Sequence, residues 1–149
     1  MIRKRIALLL LLFMVLLPVI VPAAGKAAPT WCNKCNMKIT DLNKKYSVTL
    51  TEGMEPMAFD DIGCSMLWRD GECAMRMSAF DSNARVYDFI SGEPVVIEEA
   101  FFVYGPEIKT PMGYGIIAFK TMEQAEAFSA RSGKAKVLTF RELTSLQLK

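Results

Sequence analysis

The residues Ala58-Phe59-Asp60-Asp61-Ile62 return sixty positions later as Ala118-Phe119-Lys120-Thr121-Met122, and at the same offset Trp68 falls on Phe128. Each phrase has the grammar of a strand that ends and a helix that begins: an apolar pair, a side chain able to cap a helix (Asp60 or Asp61, Thr121), then apolar residues at helical spacing. A chain that repeats such a unit points to a duplication, with two small similar halves in place of one large core. Around the first phrase, Tyr46 to Thr51 alternates with period two, Glu52-Gly53 and Glu55-Pro56 mark a turn, and Pro56 to Phe59 reads as a second strand. A helix through Ile62, Met66, Leu67 and Trp68 to Gly71 follows, and Ala74 to Phe80 alternates like a strand. Around the second phrase, Arg85 to Phe89 and Val95 to Tyr104 look extended, with Ser91-Gly92 turning between them. Gly115 to Phe119 is a strand, Met122, Ala125 and Phe128 lie on one helical face up to Gly133, and Lys136 to Phe140 closes the unit. The expected fold class is α+β, two ββαβ subdomains over residues 31–82 and 83–149.

The beginning of the chain is set apart. Arg3, Lys4 and Arg5 precede an apolar run from Ile6 to Val21, longer than a typical secretory signal core and shorter than a comfortable membrane span. Val21 and Ala23 stand at the −3 and −1 positions of a cleavage site, so residues 1–23 are read as a signal peptide and 24–30 as a linker. Export to the periplasm or another extracytoplasmic face is the expectation, with membrane contact only if the segment is retained as an anchor. Trp31 before Cys32 is not a lipid-attachment context. Without the three leading cations, 15 basic residues face 16 acidic ones, which gives no electrostatic case for nucleic-acid binding.

The 149 residues include no histidine. That excludes Ser-His-Asp and Cys-His catalytic pairs and every His-containing zinc site. Any metal or redox chemistry must run on sulfur, and no motif assigns a reaction; the chain is read as a binding protein, not an enzyme.

Trp31-Cys32-Asn33-Lys34-Cys35-Asn36-Met37 is where the sulfur concentrates. Four readings compete. Trp-Cys-x-x-Cys is how a thioredoxin active site reads, yet only a linker precedes Cys32, whereas that chemistry needs a positioned helix N-terminus. Cys32, Cys35, Cys64 and Cys73 have the number for a structural zinc site in an interaction domain, but Cys64 and Cys73 flank a predicted helix and do not form a close knuckle. An even cysteine count in an exported chain also fits disulfides, Cys64–Cys73 among them. The fourth reading is Cu(I), a soft ion that selects thiolate and thioether. Cys35 and Met37, two apart on an extended segment, face the same way, and Met112 in Pro111-Met112-Gly113 sits on a loop, free to add a third sulfur. Cys32 is then a spare thiolate or the partner in a disulfide that switches binding off. Met66 and Met122 on apolar helix faces, and Met75 and Met77 on the expected strand, are core filler in this reading.

The order of these blocks resembles a known family. Cys-x-x-Cys-x-Met near the mature N-terminus, Phe59-Asp-Asp-Ile-Gly-Cys64, Ala84-Arg-Val-Tyr-Asp88, Ala100-Phe-Phe-Val-Tyr104 and Pro111-Met-Gly-Tyr-Gly115 with Ala118-Phe119 are similar in content and order to the NosL proteins, accessory proteins of nitrous oxide reductase. The resemblance spans about Trp31 to Leu143. It implies a pair of ββαβ subdomains related to the organomercurial lyase MerB, and a periplasmic Cu(I) metallochaperone serving nitrous oxide reductase, another cuproprotein or the maturation machinery. The family's ligands carry over onto Cys35, Met37 and Met112. The thiol-disulfide oxidoreductase and the structural-zinc domain stay as alternatives.

Overall fold

The computed structural model describes residues 29–148, so the expected signal peptide and most of the expected linker lie outside the described residues. In chain order the elements are β1 (Val48–Leu50), β2 (Met57–Phe59), α1 (Ile62–Arg69), α2 (Ala74–Asn83), β3 (Arg85–Tyr87), β4 (Pro94–Val96), β5 (Phe101–Tyr104), β6 (Ile116–Phe119), α3 (Met122–Ser129), β7 (Lys136–Thr139) and α4 (Phe140–Leu143). Single 3-10 turns occupy Lys44–Tyr46 and Ile97–Glu99.

The two sheets are built on one plan. In the first, β1 pairs antiparallel with β2 (Val48 opposite Phe59) and with β3 (Val48 opposite Val86), and the order is β2-β1-β3-β4. In the second, β5 pairs with β6 (Phe101 opposite Phe119) and β7 (Phe101 opposite Thr139), order β6-β5-β7. The helix after the second strand runs 62–69 in one half and 122–129 in the other, the same offset as the sequence repeat. Asp61 caps the first through the Gly63 N–H and Thr121 caps the second through the Gln124 N–H. Trp68 lies 5.7 Å from Phe59 between ring centroids, and Phe128 lies 5.4 Å from Phe119. A third ring completes each cluster: Phe80, 5.6 Å from Trp68, and Phe89, 5.5 Å from Phe128.

The halves differ where function can enter. Residues 51–56 connect β1 to β2, whereas the corresponding β5–β6 connection runs from 105 to 115 and carries Met112. The first half also contains α2 and the extra edge strand β4. Because β3 and β4 both belong to the first sheet, sheet membership changes between residues 96 and 101.

Alternation along β5 and β6 splits their side chains between two cores. Phe102, Ile116 and Ala118 point into a cluster shared with Val48, Leu50, Phe59, Ile62, Phe80 and Val86 of the first half. Val103, Ile117 and Phe119 face α3 through Ala125. Burying a side chain of this size contributes about 1.5–3 kcal/mol, so the shared cluster makes each half depend on the other. Asp88 stitches the seam: its Oδ1 accepts the Lys120 N–H at 2.9 Å, its Oδ2 accepts the Ser91 N–H and hydroxyl at 2.7 and 2.8 Å, and the Phe89 N–H donates to the Ala118 carbonyl at 2.8 Å.

Four sequence expectations are corrected. Ala74 to Phe80 is not a strand but the start of helix α2, with Phe80 its one buried residue and Met75 79% exposed. The apparent alternation there is a helix whose outer face is free to be anything. The extended stretch Val95 to Tyr104 is interrupted by the 3-10 turn at Ile97–Glu99. β7 stops at Thr139, whose hydroxyl and Glu142 form a reciprocal capping box, so that Phe140 begins α4. All four cysteines are free, which removes the Cys64–Cys73 disulfide.

Candidate metal centre

The Cys-x-x-Cys segment is a tight turn strapped to the edge strand β2. Trp31 and Lys38 pair across its neck, the Cys32 N–H donates to the Met37 carbonyl at 2.8 Å, and the Asn36 N–H returns to the Cys32 carbonyl at 2.9 Å. Asn36 takes φ +61°, a left-handed conformation that asparagine tolerates better than most residues; Cys35 and Met37 are therefore not on the extended segment expected from the sequence, and strand alternation does not set their side chains on one side. Asn33 makes the strap: its N–H donates to the Ala58 carbonyl at 2.8 Å, and its side-chain oxygen accepts the Ala58 N–H at 2.9 Å. The turn is thereby laid against the end of β2, where the chain passes through Asp60 and Asp61 into α1.

Cys32, Cys35, Asp60 and Cys64 meet there, and one ligand atom from each lies within 4.8 Å of all the others. Cys32, Cys64 and Asp60 are buried, and Cys35 is half-buried. The Cys35 thiol donates to Asp60 Oδ1 at 3.2 Å, and the Cys35 N–H points to Cys32 Sγ at 3.5 Å. The other Asp60 oxygen, Oδ2, is buried with no hydrogen-bond partner, a costly condition for a carboxylate. Hydrogen bonding from the Cys64 thiol, against the opposing effect of burial, holds Cys32 down at about 4. Burial pushes Cys35 up to about 11, with Cys32 and Asp60 adding to it against the Met37 amide. Cys64 is raised because its thiol is the donor to Cys32 and is buried besides. Hydrogen bonding thus favours the charged form at Cys32 while burial favours the neutral form at Cys35, so binding of a soft cation by these sulfurs would be coupled to proton release.

The second half supplies the rim. Asp61 Oδ2 accepts the Thr110 hydroxyl at 2.6 Å and the Met112 N–H at 2.9 Å, while its Oδ1 caps α1 through the Gly63 N–H at 2.9 Å. Tyr114 lies so close over Gly63 that a Cβ there would come within 2.1 Å of the ring. Gly115 makes the return at φ +68°, where a Cβ would meet the Gly105 carbonyl oxygen at 2.3 Å. Met112 (39% exposed) and Met37 (44% exposed) stand at the surface, while Met57 and Met66 are core residues.

Of the residues nominated from sequence, Cys32 and Cys35 are brought together, Met37 follows at the exit of their turn, and Met112 is held on the loop clamped to the start of α1. Sequence reasoning missed Asp60 and had placed Cys64 only in a zinc or disulfide role. The Cys₄ zinc set fails for want of Cys73, which is exposed at the N-cap of α2 and outside the cluster. Nor does Cys32 stand at a helix N-terminus as a thioredoxin-type nucleophile does; it is 3% exposed in a turn.

Fold and site together define a class: a two-sheet α+β protein, with its halves built on one plan, that gathers cysteines from two chain segments into a histidine-free cluster at the start of a helix. The chain belongs to the NosL family, whose sequence profile matches residues 26–148. Among solved structures it is similar to the crystal structure of the copper chaperone NosL from Shewanella denitrificans, at 22% identity and a TM-score of 0.53, covering 85% of this chain and 100% of that one. No curated protein matches.

Proposed function

We propose that the protein is a Cu(I) metallochaperone that binds one ion at its surface through Cys35, Met37 and Met112, with Cys32 beside them, and passes it to a copper protein outside the cytoplasm. Family membership supports the reading, and so does the donor chemistry, since thiolate and thioether suit Cu(I) and suit Cu(II) poorly. The observation that carries it is the Asp61 clamp. One carboxylate fixes both the start of the helix that bears Cys64 and the amide of Met112, which supports counting the Met112 thioether with the cysteines of the first half. A mixed, half-exposed site is open to attack by a partner's ligand, which a chaperone needs and a closed cage denies. By resemblance the client is nitrous oxide reductase or its maturation machinery.

Competition for Cu(I) against a chromophoric chelator tests this. Cys35→Ser and Met112→Ala should each weaken binding at least tenfold, and wild-type affinity in both variants would overturn the assignment. The oxidoreductase alternative has one point in its favour, the lowered pKa of Cys32, and is separated by assaying the reduced protein for insulin-disulfide reduction.

A further inference from the structure

Cys64, Cys32 and Asp60 are more than scaffolding for a surface site. We infer that the protein holds a second, buried Cu(I) position formed by Cys32, Cys35 and Cys64, with Asp60 behind them, and that Cys35 is shared between this inner position and the outer one. The inference rests on the copper reading above and extends it.

Three sulfurs and one carboxylate oxygen with no pair further apart than 4.8 Å lie within about an ångström of the spacing that three thiolates about 2.3 Å from one ion adopt, roughly 4 Å between sulfurs. An unpartnered polar atom is the second indication: Cys32 and Cys64 are 3% and 1% exposed within the core, yet beside them is a buried carboxylate oxygen with no donor. A buried apolar site would not retain such a group, whereas a site that takes up positive charge has use for it. The convergence is also built from independent elements. Cys32 and Cys35 arrive on the turn fastened by Asn33 to β2, Asp60 on the residue that leaves β2, and Cys64 from the first turn of α1. Cys35 is the one cysteine of the three that is half-exposed, and Met37, two residues on, is exposed; depth therefore increases from thioethers through Cys35 to Cys32 and Cys64.

Native mass spectrometry of the reduced protein titrated with Cu(I) decides the matter. Two equivalents should bind to wild type. Cys64→Ser should bind one, at wild-type outer-site affinity, and Met37→Leu/Met112→Leu, altered only at exposed positions, should also retain one, at the inner position. A wild-type stoichiometry of one that the double methionine variant loses, two equivalents in Cys64→Ser, or none in the double methionine variant would each overturn the inner position, the first two leaving the outer site standing; a single ion retained by the double methionine variant when wild type also binds one would overturn the shared two-position arrangement. Zn(II) found at the inner cysteines that Cu(I) cannot displace would overturn it as well. Failure of wild type to bind any Cu(I) would instead remove the chaperone reading itself. Should Cys64→Ser not fold, the double methionine variant and the wild-type stoichiometry are sufficient to decide between one position and two.

Discussion

Asp61 and Met112, fifty-one positions apart in the chain, are joined by a 2.9 Å hydrogen bond from the Met112 amide to the carboxylate that caps α1. The same oxygen takes the Thr110 hydroxyl, so one side chain holds two donors from the second half as well as the Gly63 N–H of its own helix. Asp61→Ala loses a helix cap, worth about 1 kcal/mol, and leaves two donors short of an acceptor at about 1–3 kcal/mol each where they stay buried. The cap loss alone sets a floor of about 1 kcal/mol in urea, and full burial of both donors would raise the sum to about 3–7 kcal/mol. Hydrogen exchange at residues 110–115 should accelerate more than exchange in β5 or β6; equal acceleration everywhere would show that Asp61 acts only on global stability.

Gly63 gives a sharper test of the same contact. Alanine is the better helix former by about 1 kcal/mol, yet its Cβ would overlap the Tyr114 ring. Gly63→Ala should therefore destabilise, by about 1–3 kcal/mol as overpacking does. Adding Tyr114→Ala should recover part of the loss, a coupling that a thermodynamic cycle measures directly. A purely additive cycle would mean that the ring moves aside freely.

Arg69 and Asp81 form a two-pronged ion pair, 2.6 Å at each contact, with 11% and 14% of their side chains exposed. It fastens α1 to α2, the helix that the second half lacks. Removing Arg69 strands the Asp81 charge, whereas removing Asp81 leaves Arg69 its longer 3.3 Å contact with Asp70; Arg69→Ala should cost about 3 kcal/mol, and the double variant Arg69→Met/Asp81→Leu should be less damaging than the sum.

Asp88 sets an acid limit on stability. Burial opposes its charge, but hydrogen bonds from the Ser91 amide and hydroxyl and the Lys120 amide outweigh that and hold its folded pKa below the usual aspartate value. A depressed folded pKa means that the stabilisation is complete above the unfolded value of about 4 and is lost as pH falls through the lower folded value. Urea midpoints of wild type and Asp88→Asn should thus differ at about pH 6 and converge below about pH 4. A difference independent of pH would show that the carboxylate's charge is irrelevant.

Cys73 is exposed and outside the sulfur cluster. In the metal-free protein it should be the one cysteine of the four that iodoacetamide modifies quickly, with Cys32 protected by burial. Cys73→Ser should leave Cu(I) affinity unchanged. Loss of affinity in that variant would place a ligand where the structure has none.

Both helix starts were legible because Asp61 and Thr121 are caps followed by apolar spacing, and the repeat predicted that α1 and α3 would share an offset. α2 was not, because only Phe80 is buried: with a single inward residue no helical period shows, and Met75 and Met77 then mimic a strand. Asp60 was invisible for another reason. Two adjacent aspartates before a helix both look like caps, and only the turn strapped by Asn33 makes one of them part of a sulfur site. Cys64 stands 29 residues beyond Cys35, too far for spacing rules to unite them; its place in the first turn after a capping aspartate was the one usable clue.

The clamp on Met112 also has a direction in time. Ribosomes release Cys32, Cys35 and Cys64 well before Met112, and Asp61 lacks two of its three donors until the β5–β6 loop has been made and has docked. A chain interrupted in between carries the thiols without the thioether of the second half, so both ends of the proposed ligand set coexist only once the second half has been made.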